Sequence, residues 1–528
     1  MNFHRLVFIL PLILIVVPAP CAALGASVRV ESGQTLALHD DLVLSGDDVL
    51  EVRGTPEKPC ILIGNRHRVR SVAKWTGTIK ITHCTIQSLG GLPKRAADGL
   101  VSGAGESAFE LKVAGKGSVA MEHCTLDACA GLRLQTDDSS TVIFRHNTVL
   151  ENSVVAISKD IAKSADCFMA TGDSKERKLF QGNFIPRGKV VIRAPNWLIG
   201  GDRDTDSNLF MGLRIGIVAD GDGTVVRGNY FHLRMPITKE YPYWSQISVF
   251  TAGPAVVGEH NVIRDGEWIV RFVEGEFRYN LITDIVDHDL MQNGSAGRIH
   301  HNLFLAGASD HRHGSMFACI AVIYPPKKPG EGIEIYNNIF DGGGRLNVPA
   351  IEVAPKAFVK RVRNNVFYNF AHQEKYYKRP QAMIRANWND EPAEEKPARL
   401  GYADYNLFHN PKAKAQRNYL LSVAGKTERK DAGFGLNDIP RGGRINDQAD
   451  PRFKGPIPKA FPFSDEDIKA RKIGMSKILA TYRQAYTPAE GSPLIGSGDP
   501  ADGAGTNIGV VGGSKESGQD LFGRFGAK

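Results

Sequence analysis

Apolar residues in this chain come in short alternating runs, seldom at the three-to-four-residue spacing that lays a stripe along a helix. Val28 and Val30, Leu42 and Leu44, and Val49, Leu50 and Val52 are such runs, and they predict short strands. A longer-range order lies over the alternation. A polar or aromatic residue, or glycine, precedes an asparagine that is followed by a small or apolar pair. The unit returns at Asn147, Asn183, Asn208, Asn229, Asn261, Asn280, Asn302, Asn338, Asn365 and Asn406. Two earlier copies, His83-Cys84-Thr85-Ile86 and His123-Cys124-Thr125-Leu126, put cysteine in the asparagine slot. Twelve copies separated by 19 to 41 residues describe a solenoid, each repeat being one coil plus the loop it carries.

The slot has a physical logic. An asparagine side chain has a donor end and an acceptor end. Stacked at the ~4.8 Å spacing of neighbouring strands, each amide can bond the one above and the one below. Five histidines (His83, His123, His146, His260 and His301) stand just before the slot, and their repetition predicts a turn-forming role. The one strong helical signal lies at 464–482, with Ser464 as N-cap and Asp465, Glu466 and Asp467 in the first turn.

These Asn-centred units resemble the right-handed parallel β-helix proteins of the pectin-lyase-like superfamily. The resemblance covers residues 60–410 and implies an all-β fold: a right-handed parallel β-helix solenoid of about twelve coils with an Asn ladder, capped at both ends. On this reading residues 1–25 are a signal peptide and 26–60 the N-terminal cap and first coils. Residues 61–410 form the β-helix, 411–513 a closing segment with a short helix, and 514–528 a disordered tail.

Charge and composition narrow the partner. A positive start, an apolar stretch at 6–17 interrupted by Pro11, and small residues at 19–26 read as an export signal. The expectation is a secreted or periplasmic monomer without stable membrane insertion. The net charge of +8 favours an anionic polysaccharide, and the absence of a recognisable nucleic-acid module argues against nucleic acid. Outside the leader the cysteines are Cys60, Cys84, Cys124, Cys129, Cys167 and Cys319. Their spacing matches neither a zinc site nor a disulfide framework, so inward-facing thiols are expected.

Candidate chemistry sits where the coil pattern breaks. In the pectin-lyase-like superfamily the turn and strand that follow the ladder strand carry the active groove. Most coils here are apolar or small at that place, but two neighbours differ: Asp284-Ile285-Val286-Asp287-His288-Asp289 after Asn280, and Asp310-His311-Arg312-His313 after Asn302. The ladder step between them is 22 residues, which predicts His288 beside Asp310 and Asp289 beside His311. Crowded ionisable groups shift one another's pKa and mark a candidate site.

The chemistry such a cluster suits is β-elimination on a uronate polymer. His288 or His311 would be the base, Arg312 would neutralise the sugar carboxylate beside His313, and Asp287, Asp289 and Asp310 would hold Ca²⁺. Arg312-His313-Gly314 is similar to an Arg-His-Gly element of chondroitinase-B-like and alginate-lyase-like β-helices. Those families add acidic calcium ligands and a lysine on the preceding coils. Here Asp287 and Asp289 are present but Gln292-Asn293-Gly294 lacks the lysine, which leaves the base unassigned. Lys239, Trp244, Trp268 and Arg271 are expected to line the groove, aromatic faces against sugar rings and cations against carboxylates. Trp244 and Trp268 as loop anchors or core is the structural alternative. Two other functions stay open: a non-catalytic glycan-binding or cell-envelope protein, and a glycoside hydrolase with paired carboxylates. The hydrolase reading lacks the Gly-His-Gly element of polygalacturonase-like relatives.

Overall fold

The computed structural model describes residues 27–91, 106–150, 166–233, 248–306, 319–370, 383–386, 400–410 and 449–511, less short internal stretches, with the backbone of a few isolated strands such as Leu14–Val16. The chain divides into two compact units, Met1–Lys178 and Leu179–Lys528. Each is a stack of parallel coils of up to three strands, the post-ladder and third strands running on as one at Phe184–Arg193 and Leu209–Ala219.

In the first unit the strand before the slot recurs as Ser27–Val30, Val49–Arg53, Thr78–Thr82, Ser118–Glu122 and Thr141–Arg145, all parallel and in register. The strand after the slot runs from Thr35–Ala37 to Thr148–Val149, and the third from Leu42–Leu44 to Asp166–Gly172. The parallel β-helix is therefore built as the repeat predicts. It also starts earlier than the repeat, because Cys60 pairs with Cys84 and so stands in the slot itself. The six described cysteines are buried and free. Burial pushes the Cys124 thiol up to about 12 and Cys129 up to about 11, which keeps both as thiols.

In the second unit the asparagine ladder is continuous. Asn183 Nδ2 donates to Asn208 Oδ1, and the same bond repeats through Asn229, Asn261, Asn280, Asn302, Asn338, Asn365 and Asn406 at 2.9–3.1 Å. Each amide also bonds a backbone carbonyl of the preceding coil, Phe180 O for Asn208 and Val226 O for Asn261. All these asparagines are fully buried, so the ladder answers the cost of sealing polar groups from water.

The residue before the slot explains the histidines. His83, His123, His146, His260, Tyr279, His301, Asn337, Asn364 and Tyr405 all have φ between 45° and 56°, and Gly182 and Gly228 fill the same place at 68° and 66°. Left-handed backbone there turns the chain into the ladder strand. The rings also meet between coils: His83 stacks on His123 at 4.6 Å and His260 on Tyr279 at 5.2 Å, while Tyr279 lies tilted against His301 at 5.1 Å.

The post-ladder strand of the second unit is apolar on both sides. Its inward residues form stacks such as Phe304, Phe340, Phe367 and Phe408, with ring centroids 4.8–5.1 Å apart. Its outward residues, among them Leu209, Val262, Leu281, Leu303, Ile339 and Val366, are buried against the C-terminal segment. That segment contributes helices α1 (Asp465–Lys469) and α2 (Met475–Ala485), whose Ile468, Met475, Ile478, Leu479, Tyr482 and Tyr486 complete one core with the flank.

The helical signal read at 464–482 is thus two helices. Ser464 caps α1 as expected, its hydroxyl accepting from Asp467 N at 3.1 Å. The chain breaks before Gly474, where a Cβ would meet the Asp204 carboxylate at 2.1 Å. Asp204 caps α2 instead, accepting from Ser476 N at 2.9 Å. No helix among the described residues is long and apolar enough to cross a membrane.

Candidate functional site

The third strand of each coil presents two registers. One row holds Phe250, Val270, Leu290, Ile320, Ile351 and Ile384; its described members Phe250, Ile320 and Ile351 are fully buried, which identifies it as the inward row. The row one residue on, outward by strand alternation, holds Thr251, Arg271, Met291, Ala321, Glu352 and Arg385.

The structure places the predicted residues unevenly. Arg271 pairs in register with Met291 on the next coil, and Asp289 lies on the same strand as Met291. Trp268 and His288 are register partners in adjacent coils. Asp287, Asp310, His311, Arg312, His313, Lys239 and Trp244 lie outside the described residues.

One expectation changes. The 22-residue ladder step holds for the post-ladder strand, where Leu281 pairs with Leu303. The third strand steps by 30, Leu290 pairing with Ile320. The extra residues fall between the strands Leu303–Leu305 and Ile320–Val322, where 310–313 lie. The pairing of His288 with Asp310 and Asp289 with His311 therefore does not follow from the repeat.

Glu352 was missed. It lies in the outward row between Ile351 and Val353, yet is only 1% exposed, and it pairs in register with Arg385 on the next coil. A lone acid between two β-branched residues in a strand was the available signal. Among the described residues no group of three or more His, Cys, Asp or Glu side chains is arranged to hold a metal ion.

A second charged array lies on the pre-ladder strands. Register aligns Arg227, Glu259, Arg278, His300, Tyr336 and Arg363 along one row. Glu259 is clamped between Arg227 and Arg278, the latter at 2.6 Å. Glu276 accepts from Arg278 at 3.1 Å and lies 2.7 Å from His300 Nε2, and His300 Nδ1 lies 2.8 Å from His301 Nδ1. Burial pushes the Glu276 carboxyl up, but the His300 bond and the charges of His300, Arg278 and Arg298 outweigh it and hold it at about 2. Burial also keeps His300 and His301 below the usual imidazole range. Each member of this array serves its neighbours, which makes it a structural clamp on the stack.

No family model matches this chain, and no curated protein matches it. Among solved structures, an alginate lyase, AlyF-OU02 in complex with G6, is similar with a TM-score of 0.30 and 11% sequence identity, over 76% of this chain and 82% of that one.

Proposed function

We propose that the third-strand face of the second unit holds an acidic polysaccharide and that the protein cleaves it by β-elimination. The observation that supports this reading is the outward row, in which Arg271, Glu352 and Arg385 occupy register positions on one strip. Guanidinium groups spaced by coils suit the repeated carboxylates of a polyuronate, which they can grip in bidentate fashion.

In the reaction a base removes the proton α to the uronate carboxylate. The C–O bond to the leaving sugar then breaks as its oxygen takes a proton from the protonated base or from water, leaving a carbon–carbon double bond on one fragment and a hydroxyl on the other. A cation at the carboxylate stabilises the developing enolate. In this proposal His288 or His311 is the base and Arg312 the neutralising cation. Asp287, Asp289 and Asp310 are the oxygen ligands that Ca²⁺, a hard ion, would require, and it would supply further charge neutralisation.

The test incubates the purified protein with alginate, polygalacturonate, chondroitin sulfate and ulvan, with Ca²⁺ or with chelator, and follows the ultraviolet absorbance of unsaturated uronate. A rise on one polymer is expected, with Arg271→Ala lowering kcat/KM by roughly tenfold or more, the loss of one charge-assisted contact. New reducing ends without absorbance would mean hydrolysis, and polymer binding without either would mean a glycan-binding protein.

A further inference from the structure

We infer that a cavity between the post-ladder flank and the C-terminal segment is a binding site for a single acidic sugar, a hexuronate. It lies within the second unit and has a volume of about 380 Å³. Its walls come from strand ends on successive coils, Leu305 with Ala306, Asp341 with Gly343, and Tyr368 with Asn369; residues 457–460 and Tyr486 close it. None of these belongs to the third-strand face, and the inference is independent of whether that face cleaves a polymer.

The lining is matched to a polyhydroxylated ring. Asp341 is 6% exposed and already holds two donors, the Gly343 amide at 2.7 Å and the Tyr486 hydroxyl at 2.6 Å. Each carboxyl oxygen keeps a second lone pair for a ligand hydroxyl. Burial pushes this carboxyl up against the pull of those two bonds, a setting that suits a hydroxyl better than a metal cation.

Beside it Asn369 stands at φ 56°, half-buried, at the turn out of the strand. Among the described residues the Asn369 side-chain amide, the Tyr368 hydroxyl and the Lys459 ammonium have no hydrogen-bond or ion-pair partner, and all three residues line the cavity. The ring of half-buried Tyr368 is already engaged by His409 and Phe453, and Leu305, Ala306, Ile457 and Pro458 offer apolar surface for the C–H side of a sugar. Lys459 is exposed at the rim. Donor and acceptor groups inside with one cation at the mouth select a sugar that carries a carboxylate over its uncharged counterpart.

Calorimetry and saturation-transfer NMR would use glucuronate, galacturonate and mannuronate, each beside glucose, galactose or mannose, on the full chain. A uronate is expected to bind saturably and more tightly than its uncharged partner. Tyr368→Ala should weaken it roughly tenfold, and Lys459→Ala about fivefold. Lys459→Ala removes only an exposed side chain and so reports on binding even if Tyr368→Ala alters the fold. Arg271→Ala should leave this binding unchanged, which separates the site from the polymer face. The inference is overturned if no sugar binds saturably, if Lys459→Ala has no effect, or if the uncharged sugars bind equally well.

Discussion

At the scale of single residues, what holds this solenoid is a set of positions where one chemistry recurs. Within the column a ladder asparagine such as Asn280 donates its amide hydrogens to the next asparagine and to a backbone carbonyl, and its oxygen accepts from the asparagine before it. Removing one therefore strands its neighbours. Asn280→Ala leaves the Asn261 amide without its acceptor and uncovers Asn302, so we expect a loss of about 2–4 kcal/mol by urea denaturation. A change of under half a kcal/mol would show that water replaces the amide at no cost. The slot before each ladder residue behaves differently. Save at Ser207, which is extended, its left-handed φ accepts His, Tyr, Asn or Gly, and the ring members add stacking between coils.

At the scale of elements, the C-terminal segment is a lateral cover. Leu479→Ala, which removes a fully buried side chain from α2, should cost about 2–5 kcal/mol. Ser464→Ala should cost about 1 kcal/mol through the lost cap of α1. Limited proteolysis within 449–511 should speed up in the first variant. Equal cleavage rates in variant and parent would mean that the helices do not depend on this contact.

Much of this was legible in the sequence. The repeat located the ladder because stacked amides admit few substitutes, and it located the turn before it because so few residues tolerate that backbone. It also carried a signal that went unread. In the first unit the residue after the slot is Thr85, Thr125 or Thr148, all half-exposed, whereas the second unit has Leu209, Val262, Leu281, Leu303, Ile339, Val366 and Leu407, all buried. Polar against apolar at that one position tells which coils are covered. Site geometry was less legible, because loop insertions shift the third strand by 30 residues while the ladder moves by 22. Stacking read from one strand therefore fails on another. Glu352 escaped notice for a related reason: its meaning comes from the row it shares with Arg271 and Arg385, distant in sequence.

At the scale of the molecule, each unit grows by addition of coils and its stability should follow pH through the groups sealed between them. His300 and His301 are held below the ordinary 6.5, and Glu259 and Glu276 below the ordinary 4.5. In every case the unfolded chain takes up protons first. Their contribution is therefore complete above pH 6.5, begins to fall as the unfolded histidines protonate, and falls further from 4.5 towards 2. Asp341, held above its ordinary 3.8, acts in the opposite sense over the acid part of that range. Urea titrations at stepped pH should show a monotonic decline below 6.5, flattened in its lower limb by Glu276→Gln. A stability maximum in that acid range would contradict the assignment.

The ladder has one more property. Every amide bond from Asn183 to Asn406 runs the same way, nitrogen of the earlier coil to oxygen of the later. The column is a wire of aligned dipoles inside the second unit, with its positive pole at Asn406, where the buried Asp404 sits two residues away and its carbonyl receives the last amide hydrogen. Read from its two ends such a column is not the same object, and a negative charge is better tolerated at one terminus than at the other.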